Sequence, residues 1–173
     1  MIGLENKILR SKRLTYRLLC DADKEALHAI LSDRSVTEPA GFLPAETDAE
    51  FDEFFAELTR YNTGIAVLRD GVLIGYIHVH KYVPDSSEYS GKKCVSTGFV
   101  IGKAYQNNGY ATETLETVTT YLKESFDFCF VSHFTDNIPS KRVIEKCGYR
   151  YFEEYTMFFE EFGKEMKLLG YVR

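Results

Sequence analysis

The chain has 173 residues, 45% of them hydrophobic and 27% charged, and a formal charge of −5 at neutral pH. That length and balance suit one substantial core in a single domain spanning residues 1–173, and the acidic excess excludes a general nucleic-acid binder, which needs surplus Lys and Arg to neutralise phosphates. No apolar run approaches the roughly 20 residues that cross a bilayer, and Met1-Ile2-Gly3-Leu4-Glu5 lacks the layout of a secretory leader, so a cytoplasmic protein without membrane partners is expected.

In chain order, Leu14 to Leu19 reads as a first strand, and Asp21 as the cap of a helix carrying Leu27, Ile30 and Leu31 on one face. Thr47 and Glu50 have capping-box spacing ahead of Phe51, Phe54, Phe55 and Leu58, which fall at i, i+3, i+4 and i+7 of a second helix. Strands at Ile65 to Leu68 and Val72 to Val79 flank Asp70-Gly71, a dipeptide suited to the positive φ angles of a tight hairpin. The polar stretch Lys81 to Lys93, with Pro84, Ser86, Ser87 and Gly91, reads as a long loop, and Cys94 to Ile101 as the next strand. A helix follows over about Gly109 to Ser125, with Ala111, Leu115, Val118 and Leu122 on its buried stripe, and then a short strand from Phe128 to Phe134.

Strands joined through a helix lie parallel when they are neighbours, so Cys94–Ile101 and Phe128–Phe134 are expected to pair that way. The next helix spans about Pro139 to Cys147, with Pro139 at its first position and Gly148 as the left-handed residue that ends it. From Tyr149 onward two antiparallel strands turn near Gly163 and end with Lys164 to Val172. Cys20, Cys94, Cys129 and Cys147 lie far apart, with neither metal-ligand nor disulfide spacing, and read as buried thiols; no metal is expected.

The segment Gln106-Asn107-Asn108-Gly109-Tyr110-Ala111-Thr112 joins a strand to a helix N-terminus, where the first N–H groups lack intrahelical partners and the dipole favours an anion. Gly109 lets the backbone turn, Ala111 keeps the approach open and the Thr112 hydroxyl adds a donor, which suits a pyrophosphate. An ordinary polar connection capped by Asn108 is the other reading of the same residues. The segment has neither the Gly-Lys-Ser/Thr ending of a P-loop nor the three glycines of a dinucleotide fold.

These residues resemble the Gln/Arg-x-x-Gly-x-Gly/Ala signature of the GNAT superfamily of acyl-CoA-dependent N-acetyltransferases, with Gln106, Gly109 and Ala111 at its defined positions. Thr97-Gly98-Phe99-Val100-Ile101 is similar to the family's fourth strand. The segment from Asn137-Ile138-Pro139-Ser140 through Glu145-Lys146-Cys147-Gly148-Tyr149 resembles the Asn-x-x-Ser-x-Arg-x-x-Glu-Lys-x-Gly-Phe pattern of the Rim-type branch, which includes enzymes acetylating ribosomal-protein N-termini. The resemblance covers about residues 12 to 172. It implies a mixed α/β (α+β) single-domain fold: a mostly antiparallel sheet of about seven strands with about four helices, its fourth and fifth strands splayed apart.

By the same resemblance, acetyl-CoA is the acyl donor, its pantetheine arm held by Phe99, Val100 and Ile101 and its pyrophosphate by residues 106–112. Asn137 would bind cofactor, bridge to substrate or cap the helix, Lys141 and Arg142 would reach phosphates or stay solvated, and Ser140 would donate to the thioester sulfur or serve as a local helix-start serine. The family tyrosine later in that helix corresponds to Ile144 here, and the Glu that many Rim-type members use as a base corresponds to Ser96. His78, His80, Glu88, Tyr89 and His133 are substitute bases, each with a structural reading beside it.

The missing Glu favours a weakly basic acceptor: an α-amino group near pKa ~7.8 is roughly a tenth neutral at pH 7, whereas a lysine-like amine near ~10.4 is below about a thousandth. An acetyltransferase acting on an α-amine of a protein, peptide or small molecule is therefore expected, with a catalytically silent CoA-binding module as the alternative. Glu38, Glu46, Asp85 and Glu88 could attract a cationic acceptor. Tyr151, Phe152, Tyr155, Phe158 and Phe159 exceed what one buried face needs, which admits a homodimer.

Overall fold

The structure, a computed structural model, describes Leu4 and residues 7–173. Its elements run β1 (Leu9–Arg10), β2 (Thr15–Leu18), α1 (Lys24–Leu31), α2 (Arg34–Thr37), α3 (Asp48–Arg60), β3 (Gly64–Arg69), β4 (Val72–Tyr82), β5 (Cys94–Ile101), α4 (Tyr110–Leu122), β6 (Phe128–Phe134), α5 (Ile138–Lys146), β7 (Arg150–Phe159) and β8 (Lys164–Val172). The strands form one sheet in the order β1-β2-β3-β4-β5-β6-β8-β7. Every neighbouring pair is antiparallel except β5 and β6, the pair joined through α4.

Both faces of the sheet carry helices, because the strand residues alternate between two apolar sets. On one face Leu115, Val118 and Leu122 of α4 and Ile144 of α5 pack over Val67, Ile77, Val79, Val95 and Val131. On the other, Leu27 and Leu31 of α1 and Phe51, Phe55 and Leu58 of α3 cover Ala66, Leu68, Leu73, Tyr76 and Val100. A third cluster of Tyr89, Cys94, Phe130 and Val172 seals the end where β4 leaves the sheet.

Local chemistry accounts for most boundaries. Asp70 and Gly71 take φ of 51° and 81°, as the β3–β4 hairpin requires. The Thr47 side chain accepts from the Glu50 amide and caps α3, while the Glu50 carboxylate reaches back to the Glu46 amide at 2.8 Å rather than to Thr47 itself. Cys147 closes α5 and Gly148, at φ 72°, turns the chain away from it.

The described sheet has eight strands and the described helices number five, in keeping with the expected about seven and about four; the two-residue β1 and the four-residue α2 are too short to leave a periodic pattern. Several local expectations need correction. Asp21 caps nothing: it begins a 3-10 turn, and the buried Asp23 instead accepts from the Cys20 amide at 3.0 Å and from Arg17. Cys20 is exposed, unlike the other three cysteines. The loop after β4 begins at Val83 and contains a 3-10 turn whose Tyr89 is buried edge-on against Phe128, Phe130 and Phe152. In α5 the first position is Ile138, with Pro139 second.

Candidate active site

The expected fourth and fifth strands are β5 and β6, and they separate as expected. Their parallel ladder joins Cys94–Thr97 to Phe128–Val131 and stops there, although β5 continues to Ile101 beside β4 and β6 continues to Phe134 beside β8. At the end of the ladder the Thr97 hydroxyl donates to the Phe130 carbonyl at 3.3 Å. Beyond it, Gly98 to Ile101 have β4 on one side and a gap on the other.

At the end of β5 the chain enters the loop that starts α4. The Gln106 side chain donates to the Ile101 carbonyl at 3.0 Å, which ties the loop to the strand end. Asn107 and Gly109 are left-handed, at φ 62° and 78°, so that the backbone turns twice within three residues, and Gly109 itself is the N-cap of α4. Among the described residues nothing accepts from the amides of residues 107–112, which leaves a concave row of donors at the positive end of a helix of 13 residues. Asn108 does not cap the helix: its side-chain amide donates to the carbonyls of Tyr105 (3.3 Å) and Gln106 (2.8 Å).

One groove of about 1010 Å³ takes in this loop, the strand end and α5. Phe99, Val100, Ile101, Gln106, Asn107, Gly109, Tyr110, Ala111, Thr112, Asn137, Ser140 and Arg142 all line it, whereas Asn108 and Lys141 stay outside. Asn137 is engaged at both ends of its side chain. Its Oδ1 accepts from the Ser140 amide at 3.1 Å, capping α5, and its Nδ2 donates to the Pro39 carbonyl at 2.8 Å. Ser140 is half-buried in the first turn of α5.

The substitute bases stand elsewhere; none of them lines the groove. His78 and His80 project from β4 opposite Gly98 and Ser96, with ring centroids 5.1 Å apart. Burial, and then the neighbouring His80, push the His78 imidazole down to about 4, so it is neutral at physiological pH. His133 is buried, its Nδ1 donating to the Phe134 carbonyl at 2.7 Å and its ring beside Tyr171. Tyr89 belongs to the aromatic cluster, and Glu88 is exposed in its turn.

The structure also brings in residues that, Glu38 apart, no sequence pattern marked. Arg13 donates through Nη1 to the Asn108 carbonyl (2.9 Å) and through Nε to Glu113 (2.7 Å), and its guanidinium lies 4.5 Å over the Tyr110 ring. Glu113 also accepts from the Ser11 hydroxyl at 2.6 Å and the Arg13 amide at 2.8 Å. Burial opposes its ionisation, and these hydrogen bonds outweigh burial, so its carboxyl lies below its ordinary value. Ser35, Val36, Glu38, Pro39 and Ala40 form one wall of the groove, and Phe134, Asp136, Phe162, Lys164 and Met166 another. These contacts join segments about a hundred residues apart and leave no local signature.

Comparison with known proteins agrees with this geometry. A family model described as acetyltransferase (GNAT) domain matches residues 13–150. The chain is 30% identical over 149 residues to the uncharacterized N-acetyltransferase YnaD of Bacillus subtilis (strain 168), with 82% of each chain covered. Its fold is similar to that of an acetyltransferase (GNAT family) from Bacillus anthracis, with a TM-score of 0.81 at 24% identity over 96% of this chain and 97% of that one. It is also similar to yncA from Salmonella typhimurium, solved with its cofactor acetyl-CoA, with a TM-score of 0.71 at 17% identity over 94% of both chains.

Proposed function

The chain belongs to the GNAT family of acetyltransferases, and from that premise we propose that it moves the acetyl group of acetyl-CoA directly to a primary amine, an α-amino group of a protein, peptide or small molecule being favoured, in the manner of the Rim-type branch. The observation that carries this reading is that the gap beside β5 and the unpartnered amides of the α4 loop open into one groove. The donor needs both: an anion site for its pyrophosphate and an open strand edge for its amide-bearing arm.

In this reading the loop amides hold the pyrophosphate, with Arg142 beside them, and Phe99, Val100 and Ile101 hold the pantetheine. Among the described residues no cluster fits a metal ion, and direct transfer asks for none. A neutral amine attacks the thioester carbonyl, the N–C bond forms and the C–S bond breaks, Ser140 donates a hydrogen bond to the departing sulfur, and the proton lost by the nitrogen ends on the thiolate. The α-amine preference follows from Ser96, which leaves no carboxylate at that point of β5 and so favours an acceptor already partly neutral.

Ser96 also favours a second reading, a silent CoA-binding module. Incubation with acetyl-CoA and a panel of α-amino peptides, free amino acids and polyamines, followed by thiol release, separates the two. Release with α-amines is expected; turnover confined to polyamines or side-chain amines removes the preference, and CoA binding without release for any amine supports the silent module. A Ser140→Ala variant with full turnover would remove Ser140 from the chemistry.

The proposal includes a cytoplasmic location; among the described residues no helix is long and apolar enough to cross a membrane. It also includes a homodimer joined at the edge strand β7, supported by the exposed Tyr151, Met157 and Phe158 and tested by sizing in solution.

A further inference from the structure

Within the acetyltransferase reading, on which this inference rests, we propose that Glu38 admits the acceptor as an ammonium ion, which gives up its proton to solvent before the neutral amine attacks, and thereby selects amines that carry no carboxylate beside the nitrogen. Glu38 begins the 3-10 turn Glu38–Ala40 after α2, lines the groove and is half-buried. Its position is fixed from both sides. Arg34 reaches Oε1 through Nε at 2.7 Å and through Nη2 at 2.6 Å, while the next residue's carbonyl accepts from Asn137 at 2.8 Å.

Asn137 is also the cap that orders the first turn of α5 by accepting from the Ser140 amide. One side chain therefore connects the backbone beside Glu38 to the backbone of Ser140, across the groove. Both Arg34 nitrogens converge on Oε1, and Oε2 takes no hydrogen bond among the described residues. That oxygen remains an acceptor for an N–H donor.

The charges that line the groove are divided. Arg142 and Lys146 project from α5, on the side of the loop amides, where an anionic donor is held. Glu38 and Asp136 line the other part, with Lys164 exposed on β8. An ammonium group entering there meets a fixed carboxylate, and a free amino acid brings its own carboxylate within a few bonds of the same oxygen. Like charges that close repel, whereas a peptide N-terminus or an amino-acid amide lacks the repelling group.

The test measures thiol release by the wild type and Glu38→Gln at saturating acetyl-CoA, with alanine, alaninamide and spermine as acceptors, each rate corrected for the neutral fraction of the amine. CoA affinity by calorimetry and thermal denaturation check that the variant is folded and loaded. The wild type is expected to prefer alaninamide or spermine over alanine by tenfold or more in kcat/KM. Glu38→Gln should raise the KM for the preferred amine at least tenfold, narrow its margin over alanine and lose the salt dependence of that KM, with CoA affinity unchanged.

An unchanged amine KM in Glu38→Gln, or alanine accepted as well as its amide, overturns the inference and leaves the acetyltransferase reading standing. No thiol release by the wild type with any of the three overturns both.

Discussion

Replacing Arg13 by alanine separates the architecture of the α4 loop from its chemistry. The change removes the Nε bond to Glu113, the Nη1 bond to the Asn108 carbonyl and the stacking on Tyr110. Glu113 keeps the Ser11 hydroxyl and the amide at position 13, and the exposed Asn108 carbonyl can turn to water. With the Arg13 side chain 42% exposed, the lost ion pair is screened, and the fold should lose only about 1 kcal/mol.

The loop should lose more. Glu113 lies in the first turn of α4, and without Arg13 its carboxylate faces an incoming phosphate with no cation beside it. Affinity for CoA should fall about tenfold, close to 1.4 kcal/mol. Titration calorimetry with CoA needs no knowledge of the acceptor and reads this directly; Arg13→Lys, which keeps the charge but not the fork, should recover part of the loss. CoA affinity within twofold of wild type at low salt would refute the reasoning, as would a Tm collapse that accounts for the whole effect.

Asn137→Ala should cost about 1–2 kcal/mol through the lost cap and the lost bond to Pro39, seen as a Tm lower by about 2–6 °C. Gly98→Val should fold as well as wild type, since a Cβ at Gly98 meets nothing within 4 Å, yet abolish transfer by filling the mouth of the gap; undiminished turnover would contradict the assigned path. The buried Asp23 takes two bonds from Arg17. Burial raises its pKa, but the bonds from Arg17 and Cys20 prevail and hold it below its ordinary value. Its contribution is therefore present in full above about pH 4–5 and lost as pH falls through the folded-state pKa. Asp23→Asn should cost about 2–3 kcal/mol at neutral pH and flatten the acid limb of a stability profile.

The readable parts of this fold were those encoded within a few residues. Asp70-Gly71, the Thr47 cap, Gly148 and the Leu115-Val118-Leu122 stripe each dictate a local geometry, and each adopts it. The loop side of the groove was legible because it is nearly contiguous: Phe99 to Thr112 is one strand end, one loop and one helix start. The contacts that complete it were not. Pro39 meets Asn137, Arg13 meets Asn108, and Gly41 packs against Phe134 and Phe159 only once the sheet is assembled. Tyr89 misled for a related reason, since its polar neighbours in sequence conceal an aromatic cage assembled from β6 and β7.

The four residue pairs that join β5 to β6 are the sole ladder between strands β1–β5 and strands β6–β8 among the described residues, so the sheet is two leaves on a short hinge. Any rotation of one leaf against the other about Thr97 and Phe130 is magnified with distance and is opposed at the far end by the Asn137–Pro39 hydrogen bond. A ligand spanning the leaves shortens that lever arm. Amide exchange should then slow across β6 and the first turn of α5 when CoA binds, far more than in the β3–β4 hairpin, which belongs wholly to one leaf.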